Sequence, residues 1–306
     1  MLGGICYVGS AAYIHKHYGF LKIVYKNEKY PEEETVVPID DVWLLIIDNS
    51  RISITVEALR AVLNNKGVVL LCDDKHLPHG LMYALNGYYH TTYVIRYQAQ
   101  MHQKTKERIW KDIIKQKVLN QIMCLEIFNK PTARLKRLLK EKLSAQELEA
   151  RAAKLYWQLL MHDMFPQFKR DPDGPFPNSL LNYTYAIVRA FITRSIVSAG
   201  LCPQLSIHHH RKDNPFVLAD DLIEPFRPVV DLISLQTIKD LSLEELTKQA
   251  KKEVFKKLYS PVLINNHLAP IPQAIQLCVS SFAQLVTHKR KSLSLPEIPL
   301  KIFTES

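Results

Sequence analysis

The sequence predicts an α+β protein, with a small β-rich domain over residues 1–100 followed by a larger all-α domain over residues 101–306. Three observations carry that expectation. Short β-branched and aromatic runs, broken by Pro, Gly and Asn-Ser, crowd the first hundred residues, as strands bounded by turns do. From Met101 onward the apolar residues recur at helical period. The charge divides at the same place, with 9 Lys/Arg against 10 Asp/Glu in the first hundred residues and 31 against 20 in the rest.

Taken in order, residues 20–25, 42–47, 53–56 and 68–71 read as strands, and Glu57 to Asn64 as one short helix among them. Further on, Ser144 with Glu147 and Ser242 with Glu245 each fit a capping box, in which the Ser oxygen and the Glu carboxylate satisfy each other's backbone N–H groups. Helices are therefore expected to start at both points. Asn178 to Ala199 is apolar nearly all round and is closed by Gly200 and Pro203, which predicts a buried central helix. Phe165 to Pro177, rich in Pro, Asp and Gly, reads as a surface loop.

Composition narrows the function classes. A chain of 306 residues that is 47% hydrophobic can bury a sizeable core. Its formal net charge of +10 favours polyanionic partners, and that excess belongs to the C-terminal two thirds. Five widely spaced cysteines without a C-x-x-C pair argue against a disulfide framework or a zinc ribbon. No apolar run approaches the roughly 20 residues of a membrane span, and Met1 to Cys6 carries no basic leader. A cytoplasmic protein without a membrane partner is expected.

The chemistry is concentrated in three segments. Glu149 sits in Glu147-Leu148-Glu149-Ala150-Arg151-Ala152-Ala153, where helical spacing puts Ala152, Ala153 and Tyr156 on its face and leaves room beside the carboxylate. Alone, it reads more simply as a solvated Glu. His208-His209-His210 follow Leu205-Ser206-Ile207. Consecutive side chains in an extended segment alternate sides, so at most two of these can meet one ion; a polar turn is the plain alternative. Asp220-Asp221-Leu222-Ile223-Glu224-Pro225-Phe226-Arg227-Pro228 is expected to begin a helix on which Asp221, Glu224 and Pro228 share a face, although Asp there could also be an ordinary cap. Carboxylates and one imidazole from separate segments suit Mg²⁺ or Mn²⁺, whose remaining positions take water or phosphate oxygens. No H-E-x-x-H is present, which weakens a zinc-protease reading.

Those segments also carry a family resemblance. The chain resembles the CRISPR-associated integrase of spacer acquisition, the "Cas one" family, through the Glu149 helix ending in Tyr156-Trp157, through Ile207-His208-His209, and through Asp221 to Pro228. The similarity extends to Ile46-Ile47-Asp48-Asn49 and to Cys72 through Leu81, the latter as in the subgroup found beside a single-protein, RNA-guided effector. The resemblance implies a catalytic and metal-ligand set of Glu149, His209 and Glu224, with His208 as the alternative imidazole and Asp221 as an auxiliary carboxylate. It further implies an N-terminal dimerisation domain and a helical catalytic and DNA-binding domain. The partners it implies are double-stranded DNA, a second copy of the chain, a small "Cas two" companion in a heterohexamer, and the effector itself. The expected reaction is transesterification, in which the 3′-hydroxyl of a foreign DNA fragment is joined to a CRISPR repeat.

Independently of family, Lys104, Arg108, Lys111 and Lys115 form a basic stripe at helical spacing, and Arg134, Lys136, Arg137 and Lys140 a second cluster. Both are candidate phosphate contacts, with a solvated face as the alternative. Lys248, Lys251, Lys252, Lys256 and Lys257 form a weaker third pattern. Two other functions fit the same residues: a stand-alone structure-selective metal nuclease, and a catalytically silent DNA-binding scaffold.

Overall fold

The computed structural model describes residues 4–26, 33–74, 76, 78–84, 91–210, 214–300 and 302. Lys75 and Leu77 of the 72–81 stretch lie outside them. The N-terminal part contains β1 (Ile5–Val8), β2 (Ala12–His17), β3 (Phe20–Tyr25), β4 (Glu33–Pro38), β5 (Leu44–Ile47), β6 (Ser53–Ile54), α1 (Val56–Asn64), β7 (Val68–Cys72) and β8 (Pro78–Met82). One sheet runs β1-β5-β7-β8 with its first three strands parallel, and the other runs β4-β3-β2-β6. Helix α1 starts as read, with Thr55 Oγ1 accepting from Ala58 N at 3.2 Å.

The first sheet is buried on both faces, which explains why β5 and β7 read as unbroken apolar runs. Alternation sends Ile5, Leu44, Ile46, Val68 and Leu70 into the core of the helical part. Their neighbours Cys6, Val8, Leu45 and Val69 pack against Ile14, Leu21 and Ile23 of the second sheet.

The helical part comprises α2 (Thr91–Ala99), α3 (Gln103–Ile127), α4 (Ala133–Leu138), α5 (Ala145–Met161), α6 (Asn178–Ser198), α7 (Val217–Leu222), α8 (Arg227–Leu241), α9 (Lys248–Lys257) and α10 (Ile271–Val286). A hairpin of β9 (Pro261–Ile264) and β10 (His267–Pro270) interrupts it, which the expectation of an all-α region did not foresee. Its turn uses Asn265 and Asn266 at positive φ, a conformation Asn tolerates. Helix α6 is the expected central helix, closed by Gly200 at φ 73° and by a Leu201 N–H to Ile196 C=O bond. No helix among the described residues is long and apolar enough to cross a membrane.

Two readings are corrected. The capping box at Ser144 forms in full, but the one at Ser242 does not. Ser242 adopts φ 48° and ends α8, while Thr247 caps α9 by accepting from Ala250 N at 3.0 Å. Lys251, assigned to a basic surface stripe, is buried. Its ammonium donates to Asp48 Oδ2 at 2.6 Å and to the His76 carbonyl at 3.2 Å, and it lies 4.6 Å from the Tyr183 ring centroid. Asp48 is also buried and accepts from Tyr7 Oη at 2.6 Å, with His76 Nδ1 at 2.9 Å. Burial would push its carboxyl up, and these partners together hold it below the ordinary value.

This cluster ties the first sheet to α9. Lys251→Ala leaves a buried carboxylate without its main partner and is expected to destabilise the chain by about 3–5 kcal/mol. Urea unfolding would read this, and pairing with Asp48→Asn should recover a large part of the loss.

Candidate active site

Four elements converge on one spot. Glu149 comes from the first turns of α5, Glu224 from a 3-10 turn (Glu224–Phe226) between α7 and α8, the histidines from the segment after α6, and Lys117 from α3. The anticipated single helix from Asp220 onward is instead α7, a 3-10 turn and α8, with Pro225 and Pro228 each at the start of a new element. Glu224 consequently points inward from a bend. Asn120 of α3 fixes that bend, donating to the Pro225 carbonyl at 2.8 Å and to the Pro296 carbonyl at 2.9 Å.

Lys117 is the residue that the sequence reading missed. Its ammonium lies 2.7 Å from Glu149 Oε1 and 2.5 Å from Glu224 Oε2, and its side chain is only 8% exposed. The other Glu224 oxygen accepts from Arg227 Nε at 2.6 Å. Burial alone would raise the Glu224 carboxyl; the charges of Arg227 and Lys117 outweigh it and bring the value down to about 2. Glu224 is therefore an anion at any physiological pH. Its Oε2 is compensated by the Lys117 ammonium.

Asp221 does not cap its own helix. Fully buried, it reaches across to accept three backbone N–H groups, from Ile207 at 2.6 Å, His208 at 3.0 Å and His209 at 3.1 Å. It also holds His209 Nδ1 at 2.7 Å. That contact fixes His209 as the Nδ1–H form when neutral and leaves its Nε2 lone pair for coordination. The hydrogen bond to Asp221 raises the basicity of His209 despite its partial burial. His208 stacks on Trp110 with ring centroids 4.3 Å apart and planes 10° apart, whereas His209 meets the same indole edge-on at 5.3 Å. His210 is exposed. Asp220 forms an ion pair with Arg189, Nε to Oδ1 2.9 Å, away from the acids.

Beneath the site lies a buried network. Asp231 accepts from Tyr156 Oη at 2.9 Å and from the Tyr185 hydroxyl. Tyr156 is two turns beyond Glu149 on α5, and the Arg227 guanidinium lies 4.9 Å from the Tyr185 ring centroid. The wall below Glu149, Glu224 and Arg227 is thus cross-braced through α5, α6 and α8.

As they stand, no three His, Cys, Asp or Glu side chains among the described residues converge closely enough to enclose an ion. The donor set still suits one. Two carboxylates from different elements already meet at a single positive charge. The basic candidates Lys104, Arg108, Lys111, Lys115, Arg134 and Arg137 are all exposed. Arg108 also donates to the Lys291 carbonyl at 2.9 Å, and Lys136 pairs with Glu126 at 2.7 Å.

A model of the family described as CRISPR associated protein Cas1 matches residues 6–265. The CRISPR-associated endonuclease Cas1 of Neisseria meningitidis serogroup C (strain 8013) is 35% identical over 276 residues, 88% of this chain and 90% of that protein. Among solved structures, a casposase bound to integration product has a TM-score of 0.78 at 21% identity, covering 98% of this chain and 93% of that one. A Cas6-RT-Cas1–Cas2 complex contains a chain with a TM-score of 0.74 at 16% identity, covering 95% of this chain and 35% of that one. At those identities the two structures speak for the fold alone.

The network beneath the site has a pH signature. Burial pushes the Asp231 carboxyl up to about 6, although both tyrosine hydroxyls oppose it. A carboxyl raised in the folded state binds its proton more tightly there, so its contribution to stability grows as pH falls from about 6 to about 4 and is lost as pH rises through about 6. Asp231→Asn is expected to remove a component on the order of 2–3 kcal/mol from the pH dependence over that window. Urea midpoints of both proteins between pH 4 and 7 would check it; parallel curves would refute it.

Proposed function

The chain belongs to the Cas1 family, and on that premise we propose that it is the metal-dependent integrase of CRISPR adaptation, joining the 3′-hydroxyl ends of a foreign DNA fragment to the CRISPR repeat. The observation that carries the reading is the meeting of Glu149 and Glu224 at one cation position beside a histidine oriented by Asp221. Glu149, His209 and Glu224 would hold Mg²⁺ or Mn²⁺, which when bound supplies charge neutralisation at a scissile phosphate and lowers the pKa of an attacking hydroxyl.

The chain's own groups do the rest. Arg227 keeps Glu224 ionised in a buried setting. Asp221 fixes the ring and tautomer of His209 through its Nδ1 contact and the backbone beneath it through three more. Trp110 holds His208 flat against itself, which favours His209 as the ligand. Lys104, Arg108, Lys111, Lys115, Arg134 and Arg137 contact the DNA backbone and carry orientation rather than sequence.

The assembly is a homodimer joined to a small Cas2-type companion in a heterohexamer on double-stranded DNA. The Cas1–Cas2 complex and the casposase with its integration product, both alike in fold, support those partners. The second sheet presents Tyr13, Phe20 and Val36 outward beside the Lys22–Glu34 ion pair, a mixed face suited to pairing protomers. A second reading, hydrolysis by water at the same site, follows from the Neisseria relative's name as an endonuclease.

The test combines the chain, its companion, a 3′-hydroxyl duplex and a supercoiled plasmid carrying a repeat, with Mn²⁺ or EDTA. Joined products that require Mn²⁺ and vanish in Glu149→Ala, His209→Ala and Glu224→Ala, with DNA binding retained, are expected. Asp221→Asn should lower joining about ten- to hundredfold, and His208→Ala should spare it. Cleavage without joining would favour the nuclease, and binding with neither would favour a silent scaffold. Removing one lysine of the α3 stripe should weaken DNA binding and reduce its salt slope by about 1.

A further inference from the structure

Lys117 occupies the position where a metal ion would be expected to bridge the two acids. Its stem descends from α3 through a buried environment, and its ammonium contacts one oxygen of each carboxylate, 2.7 Å from Glu149 and 2.5 Å from Glu224. The local charge already balances, two carboxylates against Lys117 and Arg227. Arg227 is engaged on the far oxygen of Glu224 and lies over the Tyr185 ring, so it is fixed from two sides. Lys117 is held differently, by one contact to each acid. Lysine's ammonium is a compact point charge on a flexible four-carbon stem, unlike the rigid fork of arginine. Of the two cations, Lys117 is therefore the one able to leave.

A divalent ion bound by Glu149 Oε1 and Glu224 Oε2 would share its oxygens with that ammonium. Two cations cannot occupy one pair of oxygens without strong repulsion in a poorly solvated site. We propose that Lys117 is a positioning residue acting as the resident cation of the site: it holds Glu149 and Glu224 to one point, and a divalent cation loads by displacing it. The inference rests on the reading of those two acids as metal ligands.

The displaced ammonium then needs an anion. A DNA phosphate entering beside the acids supplies one, which stabilises the displaced state and so tightens metal binding. By linkage, bound metal tightens DNA to the same degree. Lys117 thus makes metal loading depend on DNA, and it keeps the acid pair compensated in the absence of either.

Mn²⁺ binding to the full chain, followed by electron paramagnetic resonance of the free ion, tests this without any turnover. Wild type, Lys117→Met and Glu224→Gln are titrated with Mn²⁺, each with and without a short DNA duplex that carries no CRISPR repeat. Without DNA, Lys117→Met should bind Mn²⁺ about tenfold tighter than wild type, within the usual range of coupling between sites. Added duplex should tighten Mn²⁺ binding more in wild type than in Lys117→Met. Lys117→Gln, which keeps a polar head, should move in the same direction and serves if the Met variant misfolds. Mn²⁺ binding that Glu224→Gln abolishes but neither Lys117 variant tightens would overturn the inference and leave the metal reading standing. Wild-type binding unaffected by Glu224→Gln would overturn both.

Discussion

Glu224 is buried as an anion because positive charge meets both of its oxygens, and much of the site's architecture follows from that pairing. Arg227, three residues on, covers one oxygen from the start of α8; Lys117 covers the other from α3. Arg227 in turn lies against Tyr185, whose hydroxyl donates to Asp231, which also holds Tyr156 on the Glu149 helix. The compensation of one anion therefore fixes the relative placement of α3, α5, α6 and α8. Asn120 secures the same bend by a second route, through the backbone of Pro225.

What was legible in the sequence was local. A capping box needs only Ser144 and Glu147, three residues apart, and it formed as read. The identical spacing at Ser242 failed because α8 runs up to that residue, which takes a left-handed conformation to end the helix, and Thr247 offers a cap five residues later. Lys251 was misread for a related reason. Its helix has solvated lysines on either side, and only the distant Asp48, supplied by the end of β5, reveals that this one is buried. Spacing along one element can predict a face but not the charge waiting opposite it.

The site divides along the same line. Glu149, Glu224 and the histidine segment were visible as motifs. Which imidazole Asp221 orients was not visible from the residues alone, because that depends on Asp221 reaching across from α7 and on Trp110 offering a flat surface to the other ring. Trp110 and Lys117 did carry a signal: they are seven residues apart on α3, with Ile113 and Ile114 between them in the same buried stripe. A tryptophan and a lysine spaced two turns apart along an apolar stripe are read more simply as core and as surface charge, and the partners that alter that reading come from three other elements.

Helix α3 also keeps two kinds of positive charge apart. At 100° per residue, Lys104, Arg108, Lys111 and Lys115 lie on average roughly 140° around the axis from Trp110 and Lys117, and they are exposed where the other two are buried. The stripe faces solvent, where ions screen its charges. Lys117 sits inside against Glu149 and Glu224, where screening is weak and one charge counts for more. One helix therefore carries both a salt-sensitive charged surface and a salt-insensitive buried charge, and the two can be altered independently because they project from different faces.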